Sequence, residues 1–143
     1  MISHSTTIRI GYAETDQMGY VHHSNYARHY EIARWELFRN IGIPYCEIEK
    51  SGYMLPVVSM SFKFLKPAFY DDTITIITQI KELRGARLNL IYNSYNSIGE
   101  LINSGETNLA IVHKGNRKPC LAPDYIKSAI QNAIRIETQN TTN

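Results

Sequence analysis

The chain has 143 residues, enough for one hydrophobic core and short for two. Apolar residues make up 43% and charged residues 20%, ordinary for a globular protein, and 15 Lys and Arg against 13 Asp and Glu leave a net charge of +2. That balance argues against a nucleic-acid footprint, yet it leaves room for a few clustered cations around a small anionic ligand.

Ile8, Ile10 and Tyr12 alternate with Arg9 and Gly11, which predicts a short first strand. A polar loop follows. Tyr26, Tyr30, Ala33, Leu37 and Ile41 then recur at spacings of four, three, four and four, the stripe of an amphipathic helix. Ser24 or Asn25 suits its N-cap, and Gly42 with Pro44 suits its end. The helix is then about 17 residues, or roughly 25 Å. Ile32 and Trp35 lie off the stripe, so the helix is expected to be covered from more than one side.

Beyond a loop with Gly52 and Pro56 the period changes to two. Val58, Met60, Phe62 and Phe64 share one face of a predicted strand, and Ser59, Ser61 and Lys63 the other. The β-branched run Thr73 to Ile80, the alternation of Leu88, Leu90 and Tyr92, and the stretch Leu101 to His113 predict three more strands. The breaks Arg84-Gly85-Ala86 and Ser97-Ile98-Gly99-Glu100 are short, as in hairpins, so these strands should be antiparallel. A weaker helix is expected over residues 123–136, followed by a polar, frayed tail over 137–143. The order makes a single α+β domain. One sheet around one helix has too little cover for its outer face and edges, so self-association is expected.

No basic segment precedes a long apolar run at the N-terminus, and no stretch reaches the length of a membrane span. Cys46 and Cys120 stand outside any CxxC spacing and read as free thiols. The expectation is a cytoplasmic protein.

The chemistry concentrates in Thr15-Asp16-Gln17-Met18-Gly19-Tyr20-Val21-His22-His23-Ser24-Asn25-Tyr26. Asp16 lies between a strand end and a helix start, where an Asp most often forms a turn or cap. The same place also suits catalysis. The first turn of a helix has unpaired N–H groups and the positive end of its dipole, which can receive a carbonyl oxygen gaining negative charge. A nearby carboxylate can then act on the carbon as a nucleophile, or through water as a base. Gly19 lets the backbone turn sharply or approach a ligand. Adjacent His22 and His23 should point apart and make a poor metal pair, and with His4, His29 and His113 scattered no metal site is expected.

The segment Tyr12-Ala13-Glu14-Thr15-Asp16-Gln17-Met18-Gly19-Tyr20-Val21-His22-His23-Ser24-Asn25-Tyr26 resembles the N-terminal motif of hot-dog-fold acyl-CoA thioesterases of the 4-hydroxybenzoyl-CoA thioesterase-like group. That motif has a Tyr, then Asp-x-x-Gly, then His or Tyr seven residues after the Asp, the place of His23. Phe64-Leu65-Lys66-Pro67-Ala68-Phe69-Tyr70-Asp71-Asp72 resembles the group's Pro-Ala-x-x-Asp turn, and the likeness spans about residues 6–118.

The resemblance implies a five-stranded antiparallel sheet wrapped around one long central helix. It makes Asp16 the catalytic carboxylate, with a backbone N–H near His23 binding the thioester oxygen and the His23 side chain orienting substrate or water. Tyr12 matches a pocket-lining tyrosine in part of the group, and Gly19 and Ser24 are the further substrate-binding candidates. Arg84 and Arg87 lie where the group has basic residues near the nucleotide, although two solvated hairpin charges would look the same. Lys114, Arg117 and Lys118 form a second basic group, in a loop. Tyr26, Tyr30, Tyr45 and Tyr53, and Met18, Met54 and Met60, either line an acyl channel or fill core and interface.

The function implied is hydrolysis of an acyl-CoA or acyl-carrier-protein thioester without a cofactor, at sites between subunits of a homodimer or homotetramer. The alternatives are a hydratase or dehydratase on the same fold, and a non-catalytic acyl-binding or scaffold protein. Acyl length and the choice between CoA and carrier protein stay open.

Overall fold

The structure, a computed structural model, describes residues 2–141, with side chains through residue 135. Strand β1 (Ile2–Arg9) leads through a 3-10 turn (Tyr12–Glu14) to helix α1 (Ser24–Asn40). A short helix α2 (Tyr45–Lys50) and strand β2 (Tyr53–Met54) precede strands β3 (Val57–Phe64), β4 (Thr73–Arg84), β5 (Arg87–Tyr95), β6 (Leu101–Ala110) and β7 (Val112–His113). Helix α3 (Asp124–Thr141) closes the described chain.

Five strands form one antiparallel sheet in the order β1-β4-β5-β6-β3, and α1 packs against it, as expected. Both predicted hairpins are present: Arg84 pairs with Arg87 across Gly85 and Ala86, and the β5–β6 turn passes Gly99, whose φ is +84°. Tyr26, Tyr30, Ala33, Leu37 and Phe38 of α1 are buried. A helix of this length is marginal alone, so the burial of these side chains, about 1.5–3 kcal/mol for each large one, holds it in place.

The central contact is a slot. Register sets Phe62, Gly105 and Tyr92 side by side on β3, β6 and β5. Gly105 has no side chain, and the ring of Tyr30 fills that gap, stacked on Tyr92 at 4.3 Å and on Phe62 at 5.4 Å. Its hydroxyl donates to Asn103 Oδ1 at 2.6 Å, and burial pushes the phenol well above its ordinary pKa. One turn along, the buried Arg34 donates through Nη1 to the Tyr92 hydroxyl at 3.1 Å.

The boundaries differ from expectation at several points, each for a local reason. The first strand begins at Ile2 and ends at Arg9, because it pairs with β4 from Ile2↔Ile80 to Arg9↔Thr73; the chain then leaves the sheet, so Tyr12 is in the 3-10 turn. Ser24 and Asn25 are not the cap of α1: the N-cap is His23, in helical conformation, and Ser24 is the first helical residue. Trp35 is 38% exposed, so the outer side of α1 is less covered than its composition suggested. The predicted loop after Gly42 contains α2, for which Pro44 acts as a start rather than only a stop. The last long strand breaks at Ile111, whose N–H turns to Ala86 O at 2.7 Å, and its end becomes β7, paired with β2. Helix α3 continues to Thr141, past the expected end at 136, since no Pro or Gly interrupts the polar run. The final two positions of the expected tail lie outside the described residues.

The slot above Gly105 makes a prediction. A Cβ there would sit 2.4 Å from Tyr30 Cε2 and 2.7 Å from Ser61 O, one of them fixed backbone. Gly105→Ala is expected to destabilise the protein by about 1–3 kcal/mol, read as a lower midpoint of denaturant unfolding.

Candidate functional site

The loop between the 3-10 turn and α1 is a small closed hairpin. Thr15 and Val21 form a bridge, Asp16 N–H donates to Tyr20 O at 2.8 Å, and Gly19 N–H donates to Asp16 O at 3.0 Å. Gly19 has φ +81°, a left-handed conformation that glycine adopts without strain. Inside this hairpin Asp16 Oδ1 accepts from Met18 N–H at 2.9 Å and Tyr20 N–H at 3.2 Å. Asp16 is therefore a turn former through one oxygen, while Oδ2 has no hydrogen-bond partner among the described residues.

The two motifs that carried the resemblance are neighbours in space. Val21 N–H donates to Ala68 O at 2.8 Å, Tyr20 bridges Phe69, and their rings meet edge-on at 5.4 Å. Asp72 Oδ2 accepts from Phe69 N–H at 2.8 Å and shapes this turn. Tyr12 is 77% exposed and meets Tyr70 edge-on at 5.5 Å.

At the entrance of α1, the N–H groups of Val21, His22, Asn25 and Tyr26 are bonded to carbonyls, and that of Ser24 to His22 Nδ1. The His23 N–H has no partner among the described residues. The His23 ring is 6.0 Å from that of Phe64 and 4.3 Å from that of His22, tilted by 30°, so the adjacent imidazoles lie against each other and do not point apart. His22 Nδ1 also holds the Ser24 hydroxyl at 2.8 Å.

A second acid, to which spacing gave no weight, anchors this loop. Glu14 and His29 are 7% and 1% exposed, and Oε1 accepts from Nε2–H at 2.6 Å. Glu14 Oε2 accepts from Gly11 N–H at 2.7 Å, and Arg28 Nη2 is 3.4 Å from Oε1. Burial alone would raise the Glu14 carboxyl, but the Gly11 N–H, then His29, hold it below its usual range. Burial also pushes the His29 imidazole down, against the pull of Glu14. The pair is thus a carboxylate beside an imidazole whose charged form burial disfavours. Fifteen residues separate the two, and no local pattern joins them.

Exposed apolar side chains follow along β3, with Phe64 nearest the loop. On β3, Val58 is 50%, Met60 40% and Phe64 55% exposed, although Met60, Phe62 and Phe64 share the helix side of the sheet. Phe64 stacks on Phe62 and lies against Tyr26.

Arg84 and Arg87 are elsewhere. They line a polar hollow of about 260 Å³ with Lys81, Glu82, Asn89, Glu106 and Asn108, at the far end of β4 and β5. Strand β4 starts beside the Asp16 loop and ends at Arg84, roughly 36 Å away along the strand at its usual rise. Within one chain the two groups do not meet.

Known proteins share this architecture. The profile of the thioesterase-like superfamily matches residues 10–130. The YneP protein of Bacillus subtilis (strain 168) is 37% identical over 112 residues, covering 78% of this chain and 81% of YneP. The acyl-CoA thioester hydrolase YbgC of Escherichia coli O157:H7 is 29% identical over 119 residues, covering 83% of this chain and 89% of YbgC. The solved DHNA-CoA thioesterase of Staphylococcus aureus superposes with a TM-score of 0.88 at 30% identity, covering 99% of this chain and 95% of that one. With a five-stranded antiparallel sheet around one long helix, the hot-dog fold of its structural neighbours, this chain belongs to the thioesterase-like superfamily.

Proposed function

We propose that the protein hydrolyses an acyl-CoA or acyl-carrier-protein thioester to the free acid and thiol, with Asp16 as the acting carboxylate. The observation that carries this reading is that Asp16 Oδ2 and the His23 N–H, at opposite ends of one short loop, both have no hydrogen-bond partner among the described residues. The thioester oxygen would bind the His23 N–H at the positive end of α1. Asp16 would attack the acyl carbon, giving a mixed anhydride that water cleaves, or would take a proton from the water that attacks. In either route the C–S bond breaks, and the thiolate leaves without the acid assistance that an amine needs. Phe64, beside His23, would contact the acyl group, and Tyr12, Gly19 and Ser24 would border it.

The site as proposed is completed by a second copy. Strand β3 is at the sheet edge with one side unpaired, and its apolar residues are exposed in the single chain. Joining two β3 strands antiparallel about a two-fold axis would lay Phe64 beside the partner subunit's Val57. Register links Val57 to Leu109 and Ala110 to Arg87, so the partner's Arg84–Arg87 hairpin would come to the Asp16 end, three strands away or about 14 Å. Those arginines would then hold the phosphates of the thiol carrier.

A hydratase would need an imidazole and a carboxylate that both reach substrate. Among the described residues the hydrogen-bonded pair of that type is Glu14–His29, and it is buried.

Asp16→Asn is expected to lower thiol release from a panel of acyl-CoAs at least about a hundredfold, and wild-type rates in that variant would remove Asp16 from the mechanism. Placing lysine at both Val58 and Met60 is expected to yield monomers with negligible turnover, seen by sedimentation and the same assay. Arg84→Ala with Arg87→Ala should raise KM for acyl-CoA while leaving a pantetheine thioester, which lacks the nucleotide, unaffected.

A further inference from the structure

The Asp16 carboxylate is tied to its own hairpin, through Met18 and Tyr20, but those bonds do not fix the hairpin against α1. The bonds that do so converge on Glu14. Its main-chain oxygen accepts from His22 N–H at 2.8 Å and from Asn25 Nδ2 at 3.0 Å, both at the helix entrance. Its side chain joins Gly11 N–H on one oxygen and the imidazole of His29, in the second turn of α1, on the other. One residue therefore ties the start of the 3-10 turn, the mouth of the helix and its second turn together, two positions before Asp16.

We infer that the buried Glu14–His29 pair is a positioning strut, which sets the distance between the Asp16 carboxylate and the His23 N–H at the entrance of α1. The inference rests on the reading of Asp16 given above. An apolar pair in the same space could pack as well, because it would have no charge to desolvate. It would lack direction, however. Two hydrogen bonds accepted by one carboxylate fix both the roll of the 3-10 turn and its height along the helix, and such bonds gain strength where water is excluded. Directional support of this kind matters at a reacting centre, where a displacement near 1 Å costs about a hundredfold in rate. Glu14 and His29 are themselves too buried to touch substrate, so they act through Asp16.

The test uses His29→Leu, which removes the donor at similar volume, His29→Gln, which keeps one, and Glu14→Gln, with Asp16→Asn as reference. Steady-state hydrolysis of acyl-CoA is measured beside amide hydrogen exchange at Met18, Tyr20 and His22 by NMR. His29→Leu and Glu14→Gln are expected to lower kcat about tenfold to a hundredfold with KM little changed. Exchange should speed up at those three amides and not in the sheet, and His29→Gln should recover most of the loss in kcat. Wild-type kcat in His29→Leu and Glu14→Gln would overturn the strut. So would a loss of activity that comes only with faster exchange throughout the sheet. Should the wild type release no thiol from any acyl-CoA, the thioesterase reading falls, and the exchange data still decide the strut: unchanged rates at Met18 and Tyr20 in His29→Leu would end it.

Discussion

The seating of one tyrosine ring in the space left by one glycine sets the rest of the molecule. Tyr30 enters the gap above Gly105 between Phe62 and Tyr92, so it touches α1 and three strands at once. Because the ring is stacked on both sides and its hydroxyl is bonded to Asn103, the helix has neither freedom to slide along the sheet nor to roll on it. The height of Tyr30 also fixes the height of the helix entrance, two turns back, and with it the position of the His23 N–H.

From that anchor the loop is built outward in two steps with different chemistry. The inner step is buried and directional: Glu14 and His29, with burial working against charge on both and hydrogen bonds deciding that the acid keeps its charge. The outer step is local and solvated, a five-residue turn closed by one oxygen of Asp16. A turn-forming aspartate and a reactive one are not exclusive readings here, since the turn uses one oxygen of the carboxylate, Oδ1. The edge strand β3 continues the same logic on a larger scale. Its side chains have the pattern of a buried face, yet several are exposed in the single chain.

Much of this was legible beforehand. The tyrosine–alanine–leucine stripe of α1, the period-two strands and the glycine-bearing hairpins all depend on residues within one turn or one strand of each other, and all are present. The candidate loop was legible for a different reason, its likeness to a known motif, since an Asp before a helix is on its face a cap or turn. Its supposed cap residue was misplaced: Ser24 gives its hydroxyl to His22, and His23 takes the cap position. Glu14 and His29 escaped notice because their partnership spans fifteen residues and looks, in each neighbourhood, like ordinary surface polarity. Gly105 escaped for the same reason, as a glycine in a strand gives no hint of the ring that will fill it.

What the sequence determined by itself was therefore periodic and local: the long helix and the main strands, where the hairpins turn, and that Asp16 sits in a short loop before a helix. Those properties follow from spacings of two and 3.6 residues and from the backbone freedom of glycine, which need no distant partner. Only the tertiary structure decided which buried groups meet, that Arg34 turns inward to Tyr92, that Glu14 is tied to His29, and that Arg84 and Arg87 stand a strand's length from Asp16 in the same chain. The physical reason is that such contacts depend on register and packing between elements far apart in the chain. A single residue's identity gives its chemistry but not its neighbour.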